Sequence, residues 1–582
     1  MTQSVPNRRP GPMRLHPLRA LTGLAAAWRR RQDRAPLWTG VSVLLAAVMA
    51  LPLATLVAIA VTAPADVWPQ LARTVLPATL RDTAFVLVGV GLIALTFGAC
   101  TAWLVTMCRF PGRTLLDRLL VLPLAMPTYI LAYAYVELFD YAGPVQGLLR
   151  ALFGWTSARD YRFPEIRSMG GAILVLSAAL YPYVYLSARA SFVQQSVCVL
   201  EVARTLGRTS MGVFWSVALP LARPALAGGV ALVAMESLND LGAVDYLGVR
   251  TLSVSIYTAW QQQSSLGGAA QIALVAVIVV VALIVAERAA RRGSRFHHST
   301  GRYRAIPFTD LEGWRGVAAA AFCALPVTVG FVAPFALLVM QATAHAGDAL
   351  AADFWRAARN SVGVSAAAAA VTVALGLLLA YARRVASNAI VSAAVRGAGL
   401  GYALPGTVLA LGLIIPLAAF DNRVDALLRA TLGISTGLLL SGSLFVIVLA
   451  YAIRFLTVAL SALEAGFERL SPNLDAAARA LGETALSALW RVHVPLLAPA
   501  LGAAALLVFV DGMKELPATL LMRPFNFETL ATHVYNYAGL EQFENATPGA
   551  LMIVLVGLVP TLLLHHAVVG GRAGARQQTY SR

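Results

Sequence analysis

Lysine is almost missing from this chain: Lys514 stands alone among 45 basic residues, the rest being arginine. It lies in Gly512-Met-Lys-Glu rather than in a Gly-x-x-x-x-Gly-Lys-Ser/Thr loop, so no phosphate cradle of that kind can form. Cysteine is equally sparse. Cys100, Cys108, Cys198 and Cys323 are scattered and include no Cys-x-x-Cys pair, which argues against a zinc site or a disulfide framework. No nucleophile–base set or metal-ligand spacing appears, so a membrane enzyme is disfavoured. Charge is also short: 13% of residues are charged, against roughly 25% in soluble domains. The chain has apolar residues instead, 59% of the total, with a mean hydropathy of +0.72. A soluble fold, a disordered chain and a secreted disulfide scaffold are all excluded by that balance.

Runs long enough to cross about 30 Å of hydrocarbon begin near Leu37, Thr83, Leu119, Gly171, Leu219 and Gly268. Six more begin near Val317, Ser361, Gly397, Gly433, Val494 and Leu551. The expected fold is an all-α integral membrane protein of about 12 transmembrane helices in two six-helix units. The units are 37–288 and 316–569, with a basic segment 1–36, a linker 289–315 and a tail 570–582. The run from Leu37 is too long for a cleaved signal core and is read as a retained span. Alternating sides puts 32 arginines on the side of the termini and 12 opposite, so the positive-inside rule makes both termini cytoplasmic. The net charge of +17 then reports topology and contact with membrane lipid, notably at Arg29, Arg30 and Arg31, with no call for nucleic acid.

The two units repeat each other at a nearly constant offset. Pro127-Thr128-Tyr129 returns in the second unit as Pro405-Gly406-Thr407. Glu201 to Gly207, followed by Pro220 and Pro224, returns as Ala476 to Gly482, followed by Pro495 and Pro499. Glu236 and Asp240 return as Asp511 and Glu515, and Thr251-Leu252 as Thr529-Leu530. An even number of spans per unit makes the repeats parallel, about an axis along the membrane normal, with a pathway between them.

Glu201-Val-Ala-Arg-Thr-Leu-Gly207 and Asp475-Ala-Ala-Ala-Arg-Ala-Leu-Gly482 each precede a proline by the same interval. An Ala/Leu-rich helix stopped by a glycine, then a short helix entering the membrane at a proline, makes a stiff elbow. This pattern resembles the EAA loop of binding-protein-dependent ABC importer permeases, with two loops in one chain. The resemblance covers about Leu37 to Val569 and implies the type I importer permease fold in a bacterial inner membrane. It implies coupling residues Glu201, Ala203, Gly207, Pro220, Asp475, Ala477, Gly482 and Pro495. It also implies a separate ATPase, in two copies to serve two elbows, carrying ATP and magnesium, and a periplasmic or lipid-anchored binding protein; no cofactor is expected in this chain itself. The second loop departs from the pattern, with Ala476 where the first has Glu201 and Asp475 one residue earlier.

Glu236 and Asp240, at i and i+4, share one helix face, as do Asp511 and Glu515. Carboxylates at membrane depth need water or partners, so the four are candidates for lining a wet path, one better suited to a cation than to an oxyanion. The alternative places them at helix ends beside Gly242 and Pro517, lining nothing. Met235 to Tyr246, Thr251 to Tyr257 and Leu180-Tyr-Pro-Tyr-Val-Tyr185 resemble the fused permeases of ferric-iron importers, with thiamine and polyamine permeases as relatives. His297-His298 and His565-His566 are read as solvated or interfacial, and Tyr129, Tyr133 and Tyr135 as packing. A six-plus-six secondary transporter is the rival of another class, but its charged turn between spans two and three is not matched by Arg109-Phe-Pro-Gly-Arg113.

Overall fold

A computed structural model describes residues 36–64, 67–195, 201–203, 205–291, 308–344, 352–386 and 388–569, with side chains to 563. Ten helices among them are long and apolar enough to cross a membrane, and two sharply bent pairs raise the number to twelve. The first unit holds α1 (Pro36–Thr62), α2 (Leu76–Met107), α3 (Thr128–Phe139), α4 (Met169–Gln194), α5 (Leu219–Asn239) and α6 (Leu266–Arg291). The second holds α7 (Trp314–Ala344), α8 (Ala352–Val385), α9 (Gly406–Leu432), α10 (Leu444–Glu468), α11 (Ala498–Lys514) and α12 (Phe543–Val569). The linker pair His297-His298 falls outside the described residues, as do Arg29 to Arg31 and the side chains of His565 and His566.

Several helices start later than the apolar runs suggest, for local reasons. The run from Leu119 is broken at Pro127, which has no N–H to continue the preceding turn, and α3 starts after it with a 97° bend. Pro405 does the same before α9, so that helix begins well beyond Gly397. Gly433 does not open a span. Its left-handed backbone (φ +66°) ends α9, and α10 starts at Leu444, capped by the Ser443 hydroxyl. Gly98 of α2 lies where a Cβ would stand 2.7 Å from Val184, so bare backbone lets α2 and α4 approach closely. Gly376, its counterpart in the second unit, lets α8 approach α10 beside Ala459 in the same way.

Neither six-helix unit closes on itself. α1 packs on α9, α8 and the helix Ala389–Ala398 of the second unit, and α7 packs on α2, α3 and α4 of the first. Trp38 at the entry to α1 meets the Tyr381 ring of α8 edge-on at 5.1 Å. The end of the linker is pinned as well. Thr309 and Asp310 form a two-residue parallel ladder with Cys108 and Arg109, and the Phe308 ring lies 4.8 Å and 4.4 Å from the Arg109 and Arg113 guanidinium groups. The repeats found in the sequence are therefore interlocked, with each opening helix exchanged onto the other half.

Candidate functional site

Both elbows fold as the glycine and proline pattern suggests. Residues 201–203 and 205 are helical, as is Asn473–Ala480 in the second copy. Gly207 and Gly482 then turn with φ of +81° and +82°. Side chains other than glycine pay about 1–2 kcal/mol in that region, which fixes the residue type. Two residues later Thr209 and Thr484 cap short helices, Ser210–Val213 and Ala485–Ala488, by accepting from Gly212 N and Ser487 N. A widened turn of π type comes next in each, Phe214–Ala218 and Leu489–His493, and Pro220 and Pro495 stand just beyond. The first elbow then runs on into α5 as one span, Ser210–Asn239, whereas the second bends by 79° between Leu496 and α11.

The elbows expose apolar side chains in register. Leu206, Met211 and Trp215 are 78%, 63% and 61% exposed, and their counterparts in the repeat, Leu481, Leu486 and Trp490, are 84%, 54% and 59%. Six large apolar groups thus stand exposed at matching positions of the two elbows. Of the named alanines, Ala203 is buried, but its match in the second copy is Ala478; Ala477 faces outward. Asp475 also turns inward. It pairs with Arg384 at the end of α8 (2.8 Å) and with His493 in the widened turn (2.7 Å), and Arg384 further donates to the Phe467 and Ser471 carbonyls. Burial alone would raise the Asp475 carboxyl, but hydrogen bonds from His493 and Arg384 outweigh it and hold the group below the usual carboxylate range.

The four carboxylates converge on one cavity of about 170 Å³ between the halves. All four line it, and Asp240 and Glu515 stand at helix ends as well. α5 ends at Asn239 and α11 at Lys514, so Asp240 and Glu515 lie just past helix ends on extended backbone. Each turns back to cap the next short helix: Asp240 accepts from Ala243 N and Val244 N (3.0 and 3.1 Å), and Glu515 from Ala518 N (3.1 Å). Glu236 and Asp511, one turn earlier, face the open space, where Glu236 accepts from the Tyr402 hydroxyl at 3.0 Å.

Four further groups in this cavity have no role assigned from sequence, Tyr183, Asn239, Tyr402 and Arg454, and the lone lysine Lys514 joins them. Apolar runs alone put Arg454 at the start of a loop after span four of the second unit. It lies instead in the middle of α10, buried, as Arg189 lies within α4 paired with Asp117. A charge interrupting an apolar run is the signal that could have found it. Arg454 Nη1 donates to Glu515 Oε1 (3.2 Å) and across the halves to Asn239 Oδ1 (2.9 Å), which also accepts from Gly406 N (2.7 Å). Thr128, the counterpart of Gly406, donates its hydroxyl to Asp240. A Cβ on Gly406 would stand 2.8 Å from Arg454 Nη1, so glycine there makes room for the guanidinium. Among the described residues no group of three or more His, Cys, Asp or Glu is arranged to hold a metal ion. Tyr129, Tyr133 and Tyr135 are buried in the core around α3.

Residues 94–293 match the family of binding-protein-dependent transport system inner membrane components. The chain is similar to the Fe(3+)-transport system permease protein FbpB 2 of Haemophilus influenzae, 26% identical over 491 residues, covering 83% of this chain and 89% of the relative. It is 30% identical over 190 residues to the molybdenum transport system permease protein ModB of Escherichia coli K12, covering 32% of this chain and 80% of the relative. Over 152 residues it is 34% identical to the sulfate transport system permease protein CysT of the same strain, covering 26% and 51%.

Proposed function

Because the chain belongs to the inner membrane components of binding-protein-dependent transport systems, we propose that it couples two external ATPase subunits to ferric-ion entry through the cavity between its halves. The observation that carries the coupling is the pair of elbows: identical left-handed glycines, identical threonine caps and two exposed apolar triads at matching positions of the repeat. Two matched faces call for two matched grooves, hence two copies of a separate ATPase carrying ATP and magnesium. The arginine excess on the side of the elbows supports cytoplasmic termini, and a periplasmic or lipid-anchored binding protein delivers cargo from the opposite side. Glu201, Ala203, Gly207 and Pro220 shape one lever, and Asp475, Ala477, Gly482 and Pro495 the other.

The cargo assignment rests on charge. Relatives of this chain are named for Fe(3+), molybdenum and sulfate. Four carboxylates against two cations leave the cavity with a formal excess of two negative charges, which repels an oxyanion and attracts a cation. The similarity to the Fe(3+) permease extends over 83% of this chain, which supports the same cargo class.

The test is reconstitution in liposomes with the ATPase and the binding protein carrying ferric ion. Gly207→Glu and Gly482→Glu each force a side chain into a left-handed turn at about 1–2 kcal/mol, which reduces the docking-competent population roughly 5- to 30-fold. ATP hydrolysis should lose its stimulation by the loaded binding protein while the protein stays inserted. Glu236→Gln with Asp511→Asn should slow ferric uptake and leave that stimulation in place. Full transport by the glycine variants, or by the chain without any ATPase, refutes the lever; unchanged uptake by the amide variants refutes the path.

A further inference from the structure

Lys514 is the one lysine in a chain of 45 basic residues, and it sits in the cavity rather than at a membrane boundary. Its position in the repeat corresponds to Asn239, so the first half carries a neutral amide where the second carries an ammonium. The two cavity cations are held differently. Arg454 is fixed between Glu515 and Asn239. Lys514 donates at 3.1 Å to the carbonyl of Leu124, in the broken segment before Pro127 of the opposite half. Two carboxylates line the same cavity, Asp511, three residues earlier on the same helix face, and Glu236 across the gap.

The choice of lysine has a physical meaning here. A guanidinium is planar, forked and suited to a fixed bidentate partner, whereas an ammonium on a four-carbon stem is a compact point charge that can swing. Gly557 of α12 shapes a slot for the stem, since a Cβ there would stand 2.8 Å from Lys514 Cε. The cavity beside it, about 170 Å³, has room for the head to move together with a few waters.

Building on the reading of the cargo as a cation, we propose that the Lys514 ammonium is a tethered counter-cation. It balances Asp511 and Glu236 while the path is closed, and a passing cation displaces it from them. The lysine then serves two ends. It keeps the empty cavity from carrying three uncompensated negative charges at membrane depth, and it returns to the carboxylates behind the cargo, which drives the ion onward. Without it, a cation should enter readily and leave slowly. A unit charge at about 7 Å in a medium of effective dielectric near 20 alters a monovalent ion's occupancy roughly fiftyfold, and a trivalent ion's by more.

The sole ε-amine also makes the experiment clean. In proteoliposomes holding the full chain, its ATPase and the binding protein loaded with ferric ion, a water-soluble amine-acylating reagent is applied at rest and during ATP turnover. The Lys514 peptide is then weighed by mass spectrometry. Acylation should run about tenfold faster during turnover, as displacement raises the exposed population. Lys514→Gln should lower both the ferric concentration for half-maximal uptake and the maximal rate, by roughly fiftyfold or more, with Lys514→Arg restoring part of the release. Equal acylation at rest and in turnover overturns the proposal, as does a Lys514→Gln variant that moves ferric ion with unaltered half-saturation and rate. A wild-type chain that takes up an oxyanion and no ferric ion instead refutes the cargo reading on which the proposal stands, so the two failures are told apart.

Discussion

Arg454 is where the halves of the cavity are tied together, and its removal should show how strongly. Its side chain is 8% exposed and that of Glu515 4%, with 3.2 Å between Nη1 and Oε1. At an effective dielectric near 20 that separation gives roughly 5 kcal/mol of attraction, much of it offset by desolvation. Replacing Arg454 by Met strands Glu515 as a lone buried charge and leaves Asn239 Oδ1 with only the Gly406 N–H, a loss of about 3–5 kcal/mol. Adding Glu515→Gln to that change removes the stranded charge, so the double variant should lose only about 1–2 kcal/mol. With an unfolding entropy of about 2.1 cal/mol/K per residue over 582 residues, the single variant should melt about 3 °C lower and the double about 1 °C lower. The assay is thermal unfolding of the purified chain in detergent for wild type, both single variants and the double, read as a double-mutant cycle. Melting points that fall additively, with the double variant the least stable of the four, would show that Arg454 and Glu515 do not act as a pair and would remove the electrostatic account of the cavity wall.

Two other consequences are open to direct measurement. Asp475 is held below the usual carboxylate range by His493 and Arg384, so its contribution to stability is present above the unfolded value, near pH 4, and fades as pH falls through the lower folded value. Asp475→Asn should therefore be less stable than wild type at pH 7, with the gap closing below about pH 4; a gap independent of pH would show that the carboxylate's charge does not brace the elbow. Trp215→Asp and Trp490→Asp place a charge on each exposed apolar face, and each should abolish co-purification of the ATPase while leaving thermal stability within about 0.5 kcal/mol of wild type, as expected for exposed positions. Retained ATPase in both variants would remove the two triads as docking faces.

The parts of the molecule that were legible in the sequence are those where one residue type answers one local need. Apolar runs reveal spans because hydrocarbon admits little else, and Gly207 and Gly482 reveal turns because few other residues accept φ near +80°. Glu236 and Asp511 stood out because a carboxylate inside an apolar run requires a partner. The hidden parts depend on contacts distant in the chain. Nothing in the run around Arg454 says that its guanidinium reaches Asn239 of the other half, and the few polar residues of α1 and α7, such as Thr39 and Gln341, do not say which half they bond to. Spacing placed Asp240 on the same helix face as Glu236, but it could not tell that the helix ends between them and that Asp240 caps the next short helix. The inward turn of Asp475 was likewise invisible, because Arg384 and His493, which hold it, lie 91 and 18 residues away.

The duplicated halves have diverged where they face each other, and fusion into one chain explains how they could. A homodimer must place the same residue on both walls of a central cavity. Here Thr128 on one wall satisfies Asp240 with a hydroxyl, while Gly406 on the other clears space for Arg454 to satisfy Glu515. Asn239 opposes Lys514 in the repeat, and because its acceptor oxygen receives both Arg454 and the Gly406 N–H, it serves the other half's charge rather than its own. The same division reaches the elbows, where the first runs into α5 as one unbroken span and the second is clamped by Asp475 and then bends by 79°. A cavity built this way keeps both of its cations, Arg454 and Lys514, on the second half's wall. The first half's wall contributes Glu236 and Asp240 with no cation of its own, so within the cavity positive charge reaches it only from the second half.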